Sequence, residues 1–173
     1  MSDVVQMLAA EVLQTARGLG LVIATAESCT GGLVAGALTS IAGSSDVFDC
    51  GFVTYSNEAK AEMLGVERAL IEDRGAVSRE VALAMAACAL KQSRASLSVA
   101  ITGIAGPGGG SAEKPVGLVH FAAAKGLSRQ AGSIDFTAIH HEERFGDIGR
   151  AEVRARSVET ALRLLLRGAA LTP

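Results

Sequence analysis

Aromatic residues are scarce in this chain: no tryptophan, one tyrosine and five phenylalanines, too few rings for a platform on which nucleic-acid bases stack. A formal net charge of -2 and a pI near 5.9 leave no basic field to hold nucleic acid by counterion release. Cys29, Cys50 and Cys88 are scattered without a CxxC pair, which excludes a disulfide framework and a zinc knuckle and predicts a reducing, cytoplasmic setting. His120, His140 and His141 show no HExxH or other ligand spacing, so neither a metal centre nor any other cofactor is expected. Apolar runs stop well short of the roughly 18 residues that a membrane span requires. The opening segment, Met1 to Gly20, carries Asp3, Glu11 and Arg17 in an amphipathic pattern, which predicts a helix and no secretory leader. Gly31-Gly32 is not followed by Lys-Ser or Lys-Thr and no G-x-S-x-G surrounds Ser28, so a Walker loop and a nucleophile elbow are both absent.

What is present is a core. Of 173 residues, 49% are hydrophobic, enough for one compact domain over 1–173. Leu21 to Ala26 is an apolar run that passes through Thr25-Ala26-Glu27-Ser28-Cys29-Thr30-Gly31-Gly32 into a helical pattern from Leu33 to Ile41. In an open α/β sheet such a strand-to-helix turn lies at the carboxyl end of a strand, where helix N–H groups attract anions and glycines let the backbone approach a ligand. The plain alternative is that Thr30 caps a helix and the glycines make a tight turn.

Further on, Cys50 to Tyr55 predicts a second strand, Ser56 or Asn57 caps a helix holding Lys60, and Glu67 to Arg74 forms another helix. Ser78 to Arg94 is a longer helix with Val81, Met85, Cys88 and Ala89 on its buried face. Leu97 to Ile101 predicts a central strand ending at Thr102-Gly103, and Ile104 to Lys114 a glycine-rich binding loop or lid. Val116 to Ala124 and Gly132 to Ile139 suggest an antiparallel pair turning through Lys125-Gly126-Leu127, followed by a solvated connection, His140 to Arg144, and a helix from about Gly149 to Arg167. This order argues a three-layer α/β/α domain with a mixed, mostly parallel sheet.

If the strands are parallel, Ser28, Tyr55 and Thr102 share one edge, and Lys60 folds back toward it. A serine hydroxyl needs a base to remove its proton, and a desolvated lysine can serve. Tyr55 could relay that proton or hold the lysine, and the glycine turn would supply N–H donors to an oxyanion. Alternatives stay open: a buried structural Tyr55, a surface Lys60, or Cys29 as nucleophile partnered by Glu27 and Lys60.

With these residues in view, the chain resembles the CinA C-terminal domain family, the stand-alone nicotinamide-nucleotide amidohydrolases. The resemblance rests on Thr25 to Gly32, Ala42-Gly43-Ser44-Ser45, Gly51 to Lys60, Gly75-Ala76-Val77-Ser78, and Thr102 to Pro107 with Lys114 to Gly117, in that order. It implies hydrolysis of the carboxamide of nicotinamide mononucleotide in pyridine-nucleotide salvage, with Ser28 as nucleophile and Tyr55 and Lys60 as its catalytic partners. Substrate contacts are expected from Thr30, Gly31, Gly32, Ser44, Thr102, Gly103, Gly106 and Arg150. Where the family commonly has Gly-Asp-Arg, this chain has Gly146-Asp147 followed by Ile148-Gly149-Arg150; Arg150 is therefore the first choice for the basic contact, with Arg144 and Arg154 as rivals. Some relatives carry a further N-terminal domain similar to molybdopterin-binding proteins and linked with ADP-ribose pyrophosphatase activity, which is not expected here. A small-molecule nucleotide is the expected partner, together with further copies of the chain in a homo-oligomer. The competing account is a nucleotide-binding, competence-associated regulatory module without turnover.

Overall fold

The computed structural model describes residues 1–130 and 133–172. Helix α1 (Asp3–Gly18) leads to strand β1 (Ile23–Glu27), helix α2 (Leu33–Thr39), a single 3₁₀ turn (Ser44–Asp46) and strand β2 (Phe48–Val53). Three helices follow, α3 (Asn57–Glu62), α4 (Arg68–Arg74) and α5 (Arg79–Lys91), then strands β3 (Leu97–Gly103), β4 (Leu118–Gln130) and β5 (Ser133–Arg144), and the final helix α6 (Arg150–Ala169). Serine hydroxyls start three of the helices: Ser2 accepts from Val5 N–H, Ser56 from Ala59 N–H and Ser78 from Val81 N–H. Each satisfies a donor that the first helical turn leaves without a partner.

One five-stranded sheet, in the order β2-β1-β3-β4-β5, forms the middle layer. β1 runs parallel to β2 and to β3, while β3–β4 and β4–β5 are antiparallel, as the mixed α/β expectation requires. Side-chain alternation divides the core. Ile23, Val99, Ile101 and Phe121 point to one face and pack with Val12, Leu13 and Leu38 and with Leu162 and Leu165 of α6. Ala24, Ala26, Ala100, Ala122 and Ala124 point to the other, against Met85, Ala86 and Leu90 of α5 and Ile71 of α4. Methyl groups on that second face let the alanine-rich α5 lie close to the sheet.

The β4–β5 hairpin departs from the sequence reading. Lys125, Gly126 and Leu127 do not turn; they continue β4, with a register shift between Gly126 and Ser128. Polar partners explain this, since Lys125 Nζ donates to the carbonyls of Ala169 and Leu171 at the end of α6, and Arg129 donates to those of Leu90 in the last turn of α5 and Ser93 just beyond it. Gly132, expected to open the next strand, lies outside the described residues. His140 to Arg144 is not a free connection either, but the end of β5, paired with Leu118 to Ala122 of β4. His120 Nδ1 and His140 Nε2 share a hydrogen bond at 3.0 Å, and Arg144 Nε donates to Glu142 Oε1 at 2.8 Å.

Phe121 has no exposed surface and sits in the α6-side cluster. Phe121→Ala is expected to lower stability by about 3–5 kcal/mol, read from urea unfolding midpoints at constant slope.

Candidate active site

The alternation that sorts the core carries one residue beyond β1. Ser28 N–H donates to the Ile101 carbonyl at 2.9 Å, so the backbone is still strand-like there. Ser28 therefore follows Ala24 and Ala26 onto the α3–α5 side, and Cys29 turns back among the residues of the opposite core. From β2 the chain passes Thr54 and Tyr55 into α3, whose Ser56 cap orients the first turn so that Lys60 points inward. Lys60 is not a surface lysine: 1% of it is exposed, its Nζ lies 3.0 Å from Ser28 Oγ, and it donates at 3.0 Å to the Thr54 carbonyl.

Burial holds the Lys60 ammonium below the ordinary lysine range. In the neutral amine, one N–H can stay on the Thr54 carbonyl while the nitrogen lone pair accepts from the serine hydroxyl. The Cys29 thiol is in the reverse position. Burial raises it, against the favourable backbone N–H groups of Cys29 and Thr30, to about 11, so it stays protonated, and its side chain belongs to the α6-side core.

The turn after Ser28 is built around a carboxylate that sequence reading placed only as a partner for Cys29. Glu27 has no exposed surface. Its Oε2 accepts from the N–H groups of Gly32 (3.0 Å) and Val34 (3.1 Å), and its Oε1 from Ala35 (2.8 Å). The N-terminus of α2 is thus closed by the protein's own anion, a correction to the expectation that a ligand anion binds there. Gly31 and Gly32 adopt φ of 61° and 94°, the left-handed region that lets the chain curl back over Glu27. Thr30 caps nothing: its Oγ1 is buried without a partner among the described residues, and its carbonyl accepts from Arg154 Nη2 at 3.0 Å.

Three parallel strands bring the other candidates to the same edge. Thr102, at the end of β3, donates through Oγ1 to the Ala76 carbonyl at 2.8 Å; Gly103 follows it. Tyr55 is 59% exposed, neither a buried ring nor a lysine holder, and its hydroxyl accepts from Arg150 Nη2 at 2.7 Å. Arg150 Nη1 also donates to the Gly106 carbonyl at 3.1 Å. Because β1 lies between β2 and β3, this bridge from Tyr55 to Gly106 spans the strand end that carries Ser28. Lys114 ties the far end of the glycine-rich loop to the Arg74 carbonyl. Of the three expected arginines, Arg144 is engaged with Glu142 on β5, while Arg150, and behind the turn Arg154, lie at this edge.

Ser44 is a correction. A helix that follows a parallel strand returns the chain to the strand's starting edge, so the 3₁₀ turn precedes β2 and lies beside the beginning of β1, where Ile23 N–H donates to the Val47 carbonyl. The full length of β1 separates Ser44 from Ser28. A cleft of about 460 Å³ between α1, α2 and α6, lined by Val5, Leu33, Ala37 and Val158, also contains none of these groups. Among the described residues, no group of three or more His, Cys, Asp or Glu is placed to hold a metal ion, and no helix is long and apolar enough to cross a membrane.

The fold and site together define an open α/β protein with a buried serine–lysine pair at the carboxyl edge of its parallel strands. The model of the CinA C-terminal domain matches residues 5–168, and the chain belongs to that family. It is 54% identical over 127 residues to the nicotinamide-nucleotide amidohydrolase PncC of Escherichia coli (strain K12), covering 71% of this chain and 77% of that one. A CinA-like protein of Synechococcus sp. (strain RCC307) is 50% identical over 161 residues, 91% of this chain and 36% of the relative; the chain spans about a third of the length of such CinA-like relatives. The crystal structure of the competence/damage inducible protein CihA from Agrobacterium tumefaciens superposes with a TM-score of 0.87 at 54% identity, over 96% of each chain.

Two outcomes follow for stability. Glu27→Ala leaves three amides without their acceptor and is expected to cost about 3 kcal/mol or more, measured by urea unfolding. Lys60 releases its proton at lower pH folded than unfolded, so between those two values the unfolded state binds more protons and stability rises with pH. Below that window the charged, buried amine opposes folding. Lys60→Met is therefore expected to lose this pH dependence, so that its stability relative to the unsubstituted protein falls in melts as pH rises from neutral to alkaline.

Proposed function

We propose that this chain is an amidohydrolase that cleaves the carboxamide of nicotinamide mononucleotide to nicotinate mononucleotide and ammonia, with Ser28 as nucleophile and Lys60 as base. The observation that carries the reading is the 3.0 Å contact between a buried amine and the serine hydroxyl. The identity with the Escherichia coli amidohydrolase supports the substrate. As Ser28 Oγ bonds to the amide carbon, the neutral Lys60 amine takes the hydroxyl proton and the carbonyl π pair moves onto oxygen. The resulting ammonium returns that proton to the departing nitrogen, the C–N bond breaks, and ammonia leaves an ester on Ser28. Water then attacks the ester with Lys60 again as base, releasing the carboxylate product and restoring Ser28.

Arg150 is the group we assign to the nucleotide's phosphate, as a planar donor fork at the mouth. Tyr55 serves this reading by steadying Arg150 rather than by relaying a proton. Exposed Met7, Leu33 and Val53 support assembly of several copies, which sedimentation would measure.

Ammonia release is expected to vanish in Ser28→Ala, to fall about 10²–10⁴-fold in Lys60→Met, and to persist in Cys29→Ala. Turnover should climb with pH through the Lys60 titration, on a limb displaced below the ordinary lysine range. Undiminished turnover by Ser28→Ala defeats the mechanism. Thermal stabilisation by the nucleotide with no ammonia from the wild type favours the regulatory binding module instead.

A further inference from the structure

Attack on an amide puts negative charge on the carbonyl oxygen, and that charge needs aligned donors. In the turn expected to supply them, the N–H groups of Ser28, Gly31, Gly32, Val34 and Ala35 are committed elsewhere. Ser28 N–H donates to Ile101, Gly31 N–H to the Ser28 carbonyl at 3.0 Å, and Gly32, Val34 and Ala35 to Glu27.

The neighbouring strand supplies a donor instead. Along β3, Leu97 N–H donates to the Val22 carbonyl at 2.9 Å and the Ile101 carbonyl accepts from Ser28, so odd-numbered residues direct their backbone groups toward β1. Even-numbered ones face β4, as Ile104 N–H does in donating to Leu118 at 2.9 Å. The same period aims Gly103 N–H toward β1, one step beyond the point where β1 leaves the sheet. The acceptor that a longer ladder would offer is the Ser28 carbonyl, and Gly31 N–H occupies it. Among the described residues no hydrogen bond joins Gly103 N–H to the Ser28 carbonyl, and the residue is partly exposed at the strand end. A donor aimed past the last rung of the ladder, at the strand end that carries Ser28, is placed to meet an acceptor there.

We infer that the backbone N–H of Gly103 is a donor to the oxyanion formed when Ser28 attacks the substrate amide; the assignment rests on the amidohydrolase reading. The new bond forms from Ser28 Oγ to the amide carbon, Lys60 takes the serine proton, and the electron pair displaced onto oxygen is met by Gly103 N–H on the β3 side. Two features hold that donor in place. Gly103 pairs with Val119 across the β3–β4 ladder. A Cβ at this position would lie 2.7 Å from Val119 Cγ2 and 2.8 Å from the Leu118 carbonyl, so only glycine keeps the strand end this close to β4.

Replacing Gly103 by glycolate through semisynthesis substitutes an ester oxygen for this one N–H. The expected result is a fall in kcat of about 10²–10³-fold, with KM nearly unchanged and the Lys60 pH limb in place. A second measurement uses the unsubstituted protein labelled with ¹⁵N-glycine and pyridine-3-boronic acid, whose tetrahedral adduct on Ser28 carries the oxyanion's charge. The Gly103 amide proton should then move downfield more than those of Gly31 and Gly32. An undiminished kcat in the glycolate protein, or an adduct that leaves the Gly103 amide unmoved, overturns the assignment while the amidohydrolase reading stands. A wild type that releases no ammonia sinks that reading, and this assignment with it.

Discussion

The site depends on keeping water from one amine. An exposed lysine at neutral pH is an ammonium with no lone pair to offer, and a serine hydroxyl beside it is inert. With Lys60 almost wholly enclosed, its charged form loses hydration that the Thr54 carbonyl and Ser28 hydroxyl replace only in part. The neutral amine gains by the same amount. Burial of this one side chain therefore ties the packing of α3 against the sheet to the chemistry proposed for Ser28.

A buried anion does a complementary task on the other face of β1. Glu27 and Ser28 are neighbours in sequence, and strand alternation sends them to opposite sides of the sheet. The carboxylate closes the start of α2 and holds the turn, while the hydroxyl is left to meet Lys60. One consequence is that the phosphate of the proposed nucleotide would have to be met elsewhere. The arginines of α6 reach that edge, with Arg150 bridging Tyr55 and Gly106 and Arg154 gripping the Thr30 carbonyl. The final helix, remote in sequence from Ser28, thus completes the mouth of the site.

Residues whose role follows from local pattern were legible early. The apolar run before Glu27, the serine caps of α1, α3 and α5, and the near-continuous apolar β3 all follow from periodicity and short-range hydrogen bonding. Elements whose polar groups are satisfied at long range were not. Lys125 and Gly126 read as a turn because their partners are distant in the chain, the end of α6 for Lys125 and the Ser96 carbonyl for Gly126, and His140 to Arg144 read as solvated because their pairing with β4 is invisible in a window of sequence. Ser44 shared the family's signature but not the site's edge, since a motif records order along the chain and not the direction in which the chain is travelling.

Composition and periodicity by themselves determined a mixed α/β core, the strand-to-helix turn at Ser28, and the candidate pairing of that serine with Lys60. Tertiary structure alone decided that Lys60 is dry, that Glu27 rather than a ligand occupies the α2 terminus, that Cys29 faces the core, and that Tyr55 reaches Arg150. The reason is physical: residue type states what a group is able to donate, accept or ionise, whereas its protonation and its partner depend on the solvent excluded and the neighbours supplied by segments far away in the chain.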